Sequence, residues 1–151
     1  MKFRTVDELG NFNVKGAHIT EIYTENGHFY MILDDVKILV ANSCNRDICD
    51  KRTNGLSLKL QDGEIMEFIS EGYKVYDADG NLKSSEPDTA VAEKDYQDMF
   101  KSLAEQYVYA ISKTGDIYQI DLDGEENTFC IKVKAGHDVE EWDKFLSMEP
   151  A

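Results

Sequence analysis

Apolar and polar residues alternate through much of this chain, and between Ala17 and Ala41 two tight turns interrupt the alternation. That stretch, AHITEIYTENGHFYMILDDVKILVA, predicts three short strands. Ile19, Ile22, Tyr23, Phe29, Tyr30 and Ile32 are β-branched or aromatic residues that suit a pleated, half-buried surface. Asn26-Gly27 is the pair that most readily takes the positive φ angles of a type I′ turn, and Asp34-Asp35 turns the chain again. Val36, Ile38 and Val40 then form a one-face row. Phe29 to Leu33 is apolar almost throughout, which predicts a central strand covered on both faces.

The pattern continues beyond a polar stretch at Asn42–Gly55. LSLKL, EIMEFIS and YKVY are separated by Gln61-Asp62-Gly63 and Glu71-Gly72, and Asp77 to Asn81 is a further hairpin signal, so a second meander is predicted over about residues 56–77. After Pro87 the period changes. Ala92, Tyr96, Met99, Phe100, Leu103 and Tyr107 recur at three- and four-residue spacing and predict a helix over about 88–106. A third meander over 107–134 follows, with strands at 107–112, 116–122 and 128–134 and turns at Thr114-Gly115 and Asp123-Gly124. Asp138 and Glu141 have the spacing of a capping box. With Val139, Trp142, Phe145 and Leu146 they predict a terminal helix over about 138–148. The expected fold is α+β and a single domain over 1–151. It has about nine antiparallel strands in three meanders, forming a curved sheet or open barrel, with one inserted helix and one C-terminal capping helix.

Composition narrows the classes. At 151 residues, with 42% hydrophobic content, the chain is long enough to bury a sizeable core. No apolar run approaches membrane-spanning length, and the N-terminus carries no apolar signal region. Three cysteines make no disulfide framework, so a reduced, cytoplasmic location is expected. The net charge of −14 is unevenly placed: residues 1–60 carry eight basic and eight acidic side chains, residues 61–151 eight basic and twenty-two acidic. Such a surface repels phosphate, so neither direct nucleic-acid binding nor an anionic membrane is expected.

Searches for chemistry return little. No phosphate loop, dinucleotide fingerprint, nucleophile elbow or zinc-protease helix is present. His18, His28 and His137 are isolated in sequence and read as surface or satisfied side chains. Cys44 and Cys49 lack the second ligand pair of a zinc site, and Cys130 reads as core. Asp77–Gly80 and Asp121–Gly124 miss the glycine and glutamate positions of a calcium loop. No metal or cofactor and no catalytic residue is expected. The charge asymmetry instead points to a non-enzymatic interaction protein that presents carboxylates to a basic partner, in the narrower form a nucleic-acid mimic directed at a nucleic-acid-binding protein. The candidate partner-binding residues are Glu93, Asp95, Asp98, Glu105, Asp121, Asp123, Glu125, Glu126, Glu140, Glu141 and Asp143. A different reading uses the 42–55 loop for a small ligand or an enzymatic function, with Arg46, Lys51 and Arg52 holding an anionic group and Ile48 tucked inward as the anchor. In a third, the acidity serves solubility alone.

Overall fold

In the computed structural model, which describes residues 1–148, the alternating pattern becomes an antiparallel sheet of ten strands and two small sheets. The first strands are β1 (Phe3–Val6), β2 (Phe12–Asn13), β3 (His18–Glu25), β4 (His28–Asp34) and β5 (Val36–Ile38). Asn26 and Gly27 hold φ angles of 53° and 78° between β3 and β4, as a type I′ turn requires. The expected strand after Asp35 also forms, but β5 leaves the large sheet. It pairs with β2 on one side and β6 (Lys51–Thr53) on the other. β4 is central, between β3 and β7 (Leu56–Gln61), yet it is not uniformly buried. Phe29, Met31 and Leu33 are sealed while His28, Tyr30 and Ile32 are half-covered. The apolar run therefore hides a period of two rather than a strand covered equally on both faces.

The second meander is corrected. β7 and β8 (Glu64–Ser70) follow one another but do not pair; β7 lies against β4 and β15 (His137–Trp142), and β8 against β14 (Thr128–Lys134) and β11 (Thr89–Ala90). Asp62-Gly63 is a corner that carries the chain across the core. A Cβ on Gly63 would lie 3.0 Å from the Phe29 Cβ and 3.1 Å from a Val133 methyl, so the backbone must pass bare. The hairpin at Asp77–Asn81 does form, between β9 (Tyr73–Tyr76) and β10 (Leu82–Glu86), as a two-stranded ribbon outside the large sheet. The third meander forms in the expected order, from β12 (Tyr107–Thr114) through β13 (Ile117–Asp123) to β14.

The sequence predicts two long helices; the described residues hold one short α-helix, α1 (Tyr96–Leu103), behind a 3-10 turn at Glu93–Asp95. Thr89 and Ala90 pair with Ser70 and Ile69 instead of joining the helix, and the extended Ala104 ends it, with Glu105 following at φ 70°. The buried stripe survives in shortened form: Phe100 and Leu103 are sealed, and Tyr96 and Met99 pack against the core. The predicted helix at 138–148 is overturned. Residues 137–142 form β15, paired with β7 and with β1, and the capping-box reading of Asp138 and Glu141 falls with it. The period of two is masked there because the inward positions are Asp138, Glu140 and Trp142, two of them carboxylates.

The sheet runs β1-β15-β7-β4-β3-β12-β13-β14-β8-β11 and stays open at β1 and β11. It is nonetheless curled. Phe100 of α1 meets Phe29 of β4 at 6.0 Å and Phe68 of β8 at 5.7 Å between ring centroids, although those strands are far apart in the sheet order. Tyr118 of β13 likewise reaches Asp138 of β15 across the interior. Bulges at Ile19/Glu21, Val108/Ala110 and Lys132/Val133 supply local bends of the kind such curvature needs.

Candidate functional site

The acidic residues singled out from the sequence divide into separate places. Asp121 and Asp123 lie on the outward face of β13, and Glu125 and Glu126 are exposed in the turn to β14. With Glu71, Tyr109 and Thr128, Asp121 and Asp123 line a hollow of about 340 Å³. Glu71 is held there by its amide, which donates to the Thr128 carbonyl at 2.9 Å. Ser70, the preceding residue, lines a second hollow of about 590 Å³, whose acidic members are Asp95 and Asp98 at the start of α1. Asn127 Nδ2 reaches Ser70 Oγ at 3.5 Å and ties the β13–β14 turn to the end of β8. One end of the sheet thus gathers Glu71, Asp95, Asp98, Asp121, Asp123, Glu125 and Glu126, whereas Glu93, on the turn before α1, lines a separate hollow with Thr24, Gly63 and Glu64. Among the described residues none of these carboxylates forms an ion pair.

The other candidates lie elsewhere. Glu105 pairs with His18 at 2.9 Å, beside the start of β3. Glu141 sits on β15 opposite Arg4 and Ser57, and Asp143 accepts from the Lys2 amide. Glu140 is 0% exposed and presents nothing to a partner. Its neighbourhood holds the group that sequence reasoning missed. Thr5 Oγ1 donates to Glu140 Oε1 at 2.8 Å. Asp138 accepts from the Leu9 amide at 3.0 Å and from the Tyr118 hydroxyl at 2.6 Å. Burial first, and then the hydrogen bond and charge of Asp138, push the Glu140 carboxyl up to about 9, against the pull of Thr5. Glu140 is therefore protonated at neutral pH, and its second oxygen is buried without a hydrogen-bond partner among the described residues. Burial and the Asp138 carboxylate also push the Tyr118 phenol far up, so it remains a donor.

A buried acid beside a carboxylate is a familiar arrangement for proton transfer. Here the exposures of 0% and 1% keep any substrate away. A cavity of about 510 Å³ touches Asp138, Asp7 and Lys113, but both Asp138 oxygens already accept hydrogen bonds. The cluster acts as a clamp joining β1, β13, β15 and the 3-10 turn at Leu9–Asn11. At its rim His137 Nδ1 lies 2.7 Å from Asp7 Oδ2. Burial raises the Asp7 carboxyl, and the hydrogen bonds from His137 and the Asp138 amide outweigh it and hold it below its ordinary value.

The 42–55 loop is shorter than expected, since β6 claims Lys51–Thr53. Ile48 is 97% exposed and anchors nothing. The anchors are polar. Asn45 Nδ2 donates to the carbonyls of Ile38, Leu39 and Cys49 at 3.2–3.3 Å, Asp50 accepts from the Val40 amide, and Glu8 accepts from the Ser43 amide and hydroxyl. Arg46 and Lys51 share a groove of about 600 Å³ floored by Phe3 and Phe145. Lys51 is engaged by Asp47 at 3.1 Å, while Arg52 lies outside the groove with Nε on the Ser147 carbonyl. Cys130 faces outward on β14 rather than into the core, and burial followed by the Asp121 charge raises its thiol to about 11. Among the described residues no group of three histidine, cysteine or carboxylate side chains is placed to hold a metal ion, and no helix is long and apolar enough to cross a membrane. Comparison with protein-family models, with curated proteins and with solved structures finds no match to this chain.

Proposed function

We propose that this chain is a non-enzymatic acidic interaction protein that binds a basic partner at the end of the sheet formed by β8, β13, β14 and the start of α1. The observation that carries the reading is the gathering of Asp95 and Asp98 in one hollow and of Asp121 and Asp123 in the adjoining one, with Glu125 and Glu126 exposed in the turn that follows and none of the six in an ion pair among the described residues. Like charges crowded at one surface raise the local potential, and a basic partner relieves it; such complementarity speeds association and makes it salt-sensitive. Glu105, Glu141 and Asp143 lie outside this surface, and Glu140 lies beneath the surface altogether. In the narrower form the carboxylates stand in for phosphates and occupy the groove of a nucleic-acid-binding protein, so that double-stranded DNA competes for the same partner surface.

The test uses a synthetic peptide of alternating lysine and serine as the basic probe. Reversing Asp95, Asp98, Asp121 and Asp123 to lysine should weaken its binding at least about tenfold more than reversing Glu21, Glu25, Asp62 and Glu64, although both variants change the net charge equally. Equal losses would mean that net charge alone attracts the peptide, which is the reading of acidity as solubility. A second reading keeps the loop groove, where Arg46 faces no carboxylate partner among the described residues, as a place for an anionic group on an apolar body. Weaker binding of a fluorescent aryl carboxylate by Arg46→Ala than by the parent supports it.

A further inference from the structure

The β9–β10 ribbon is out of keeping with the rest of the fold. Every residue from Tyr73 to Ala90 is exposed except the half-covered Asp77. Four of them are large and apolar: Tyr73 at 51%, Val75 at 44%, Tyr76 at 56% and Leu82 at 55%. An isolated two-stranded hairpin is marginal in water; alternation sets Tyr73 and Val75 on one face and Tyr76 with its cross-strand neighbour Leu82 on the other, and exposed apolar pairs of this kind mark contact surfaces. The ribbon is nevertheless held firmly at both ends. At its root the Gly72 amide donates to Asp88 Oδ1 at 2.6 Å. The two chain segments cross there so closely that a Cβ on Gly72 would fall 1.8 Å from the Glu86 carbonyl oxygen. At its tip Asp77 Oδ1 accepts the amides of Asp79 and Asn81, both at 2.9 Å, and the Asp77 amide donates to the Asn81 carbonyl. A pre-ordered element loses little entropy when something covers it.

Its position selects what covers it. β9 leaves the sheet directly after Glu71, which lines the hollow of Asp121 and Asp123. β10 returns at Thr89, which lines the hollow of Asp95 and Asp98. The apolar ribbon therefore rises between two acid-lined hollows. A second copy of this chain, at −14, would bring like charge to the same place. An anionic lipid surface is repelled for the same reason. Resting on the acidic-surface reading above, we infer that the ribbon is the apolar anchor of that surface. Its occupant is a basic protein segment that interleaves apolar or aromatic side chains with its lysines and arginines. The cations enter the two hollows while the apolar side chains wrap the ribbon, covering Tyr73 and Val75 on one face and Tyr76 and Leu82 on the other. Tyrosine is among the residues that dominate binding energy at interface centres, and the outer edges of β9 and β10, which pair with no other strand among the described residues, can take up an extended segment.

Two synthetic peptides of equal length and charge test this on the full chain, one alternating lysine with serine and one alternating lysine with tyrosine. The lysine–tyrosine peptide should bind about tenfold tighter or more, equivalent to about 1.4 kcal/mol. The variant carrying Tyr73→Ser, Tyr76→Ser and Leu82→Ser should bind both peptides alike, while keeping the parent's affinity for lysine–serine. These positions are exposed, so the variant should fold, and retained lysine–serine binding verifies that. In the parent, hydrogen exchange over residues 73–86 should slow on adding lysine–tyrosine. The inference is overturned if the parent shows no preference between the peptides, or if the serine variant keeps the preference. Failure of the parent to bind either peptide overturns the acidic-surface reading instead.

Discussion

Replacing Glu140 with glutamine should flatten the dependence of folding stability on pH. The folded chain holds the Glu140 proton up to about 9, whereas the unfolded chain releases it above the ordinary value of 4.5. Stability from this group is therefore complete below about 4.5 and is lost as pH rises toward about 9. The loss runs at about 1.4 kcal/mol for each pH unit. Between about pH 5 and about pH 7 it is on the order of 3 kcal/mol, a large part of the ~5–15 kcal/mol that holds a domain together. Glutamine has the shape of the protonated acid: its carbonyl oxygen can accept from Thr5 Oγ1 and its amide takes the place of the second oxygen, but it does not titrate. Urea unfolding followed by fluorescence of Trp142, which is buried on β15, reports the difference at a series of pH values. The parent midpoint should fall as pH rises and the variant midpoint should fall much less, leaving the variant the more stable protein on the alkaline side. Asp7 has the opposite sign, because its depressed carboxyl loses stability as pH falls, and it acts equally in both proteins. Parallel midpoint curves across the range would refute the reasoning, since they would mean that Glu140 is ionised in the folded chain.

Tyr118→Phe removes the hydroxyl that donates to Asp138 across the core, and should cost about 1.5–3 kcal/mol in urea unfolding because the acceptor is a buried carboxylate. In the 42–50 loop, Asn45→Ala should destabilise by about 1–3 kcal/mol, since its amide serves three backbone carbonyls, while Ile48→Ser should stay within about 0.5 kcal/mol. Thermal melts of the two variants decide whether the loop is anchored by its polar or its apolar side chain.

The first hairpin, β3 with β4, and the third meander were legible because their signals are local. Asn26-Gly27 dictates its own turn, and the residues of β13 and β14 alternate cleanly enough to set their register. The middle of the chain was not, because Gln61-Asp62-Gly63 looks like a hairpin turn whether the strands on either side pair with each other or with strands much later in sequence. Only the approach of Gly63 to Phe29 and Val133 distinguishes the cases, and that is a long-range fact. Tertiary pairing also shortened the inserted helix, where Thr89 and Ala90 found partners on β8. β15 was misread for a chemical reason. Carboxylates at inward positions erase the apolar alternation, while Val139, Trp142, Phe145 and Leu146 retain a helical spacing by coincidence. The acidity of the second half was visible at once. That Glu140 lies inside the protein while Asp121 and Asp123 share a hollow with Glu71 depends on strand order, which composition does not carry.

The pairing of β1 with β15 has a consequence for the nascent chain. Phe3 lies opposite Trp142 and Val6 opposite Val139, so β1 waits through the synthesis of β2 to β14 for its partner. Until then β7 shows an open edge along Leu56–Gln61, Thr5 lacks its acceptor, and the Tyr118 hydroxyl faces an interior with no carboxylate in it. A translation product released after β14 would keep that edge, a template for aggregation. For this protein the step that makes synthesis safe is the emergence of β15, with its two acidic residues turned inward.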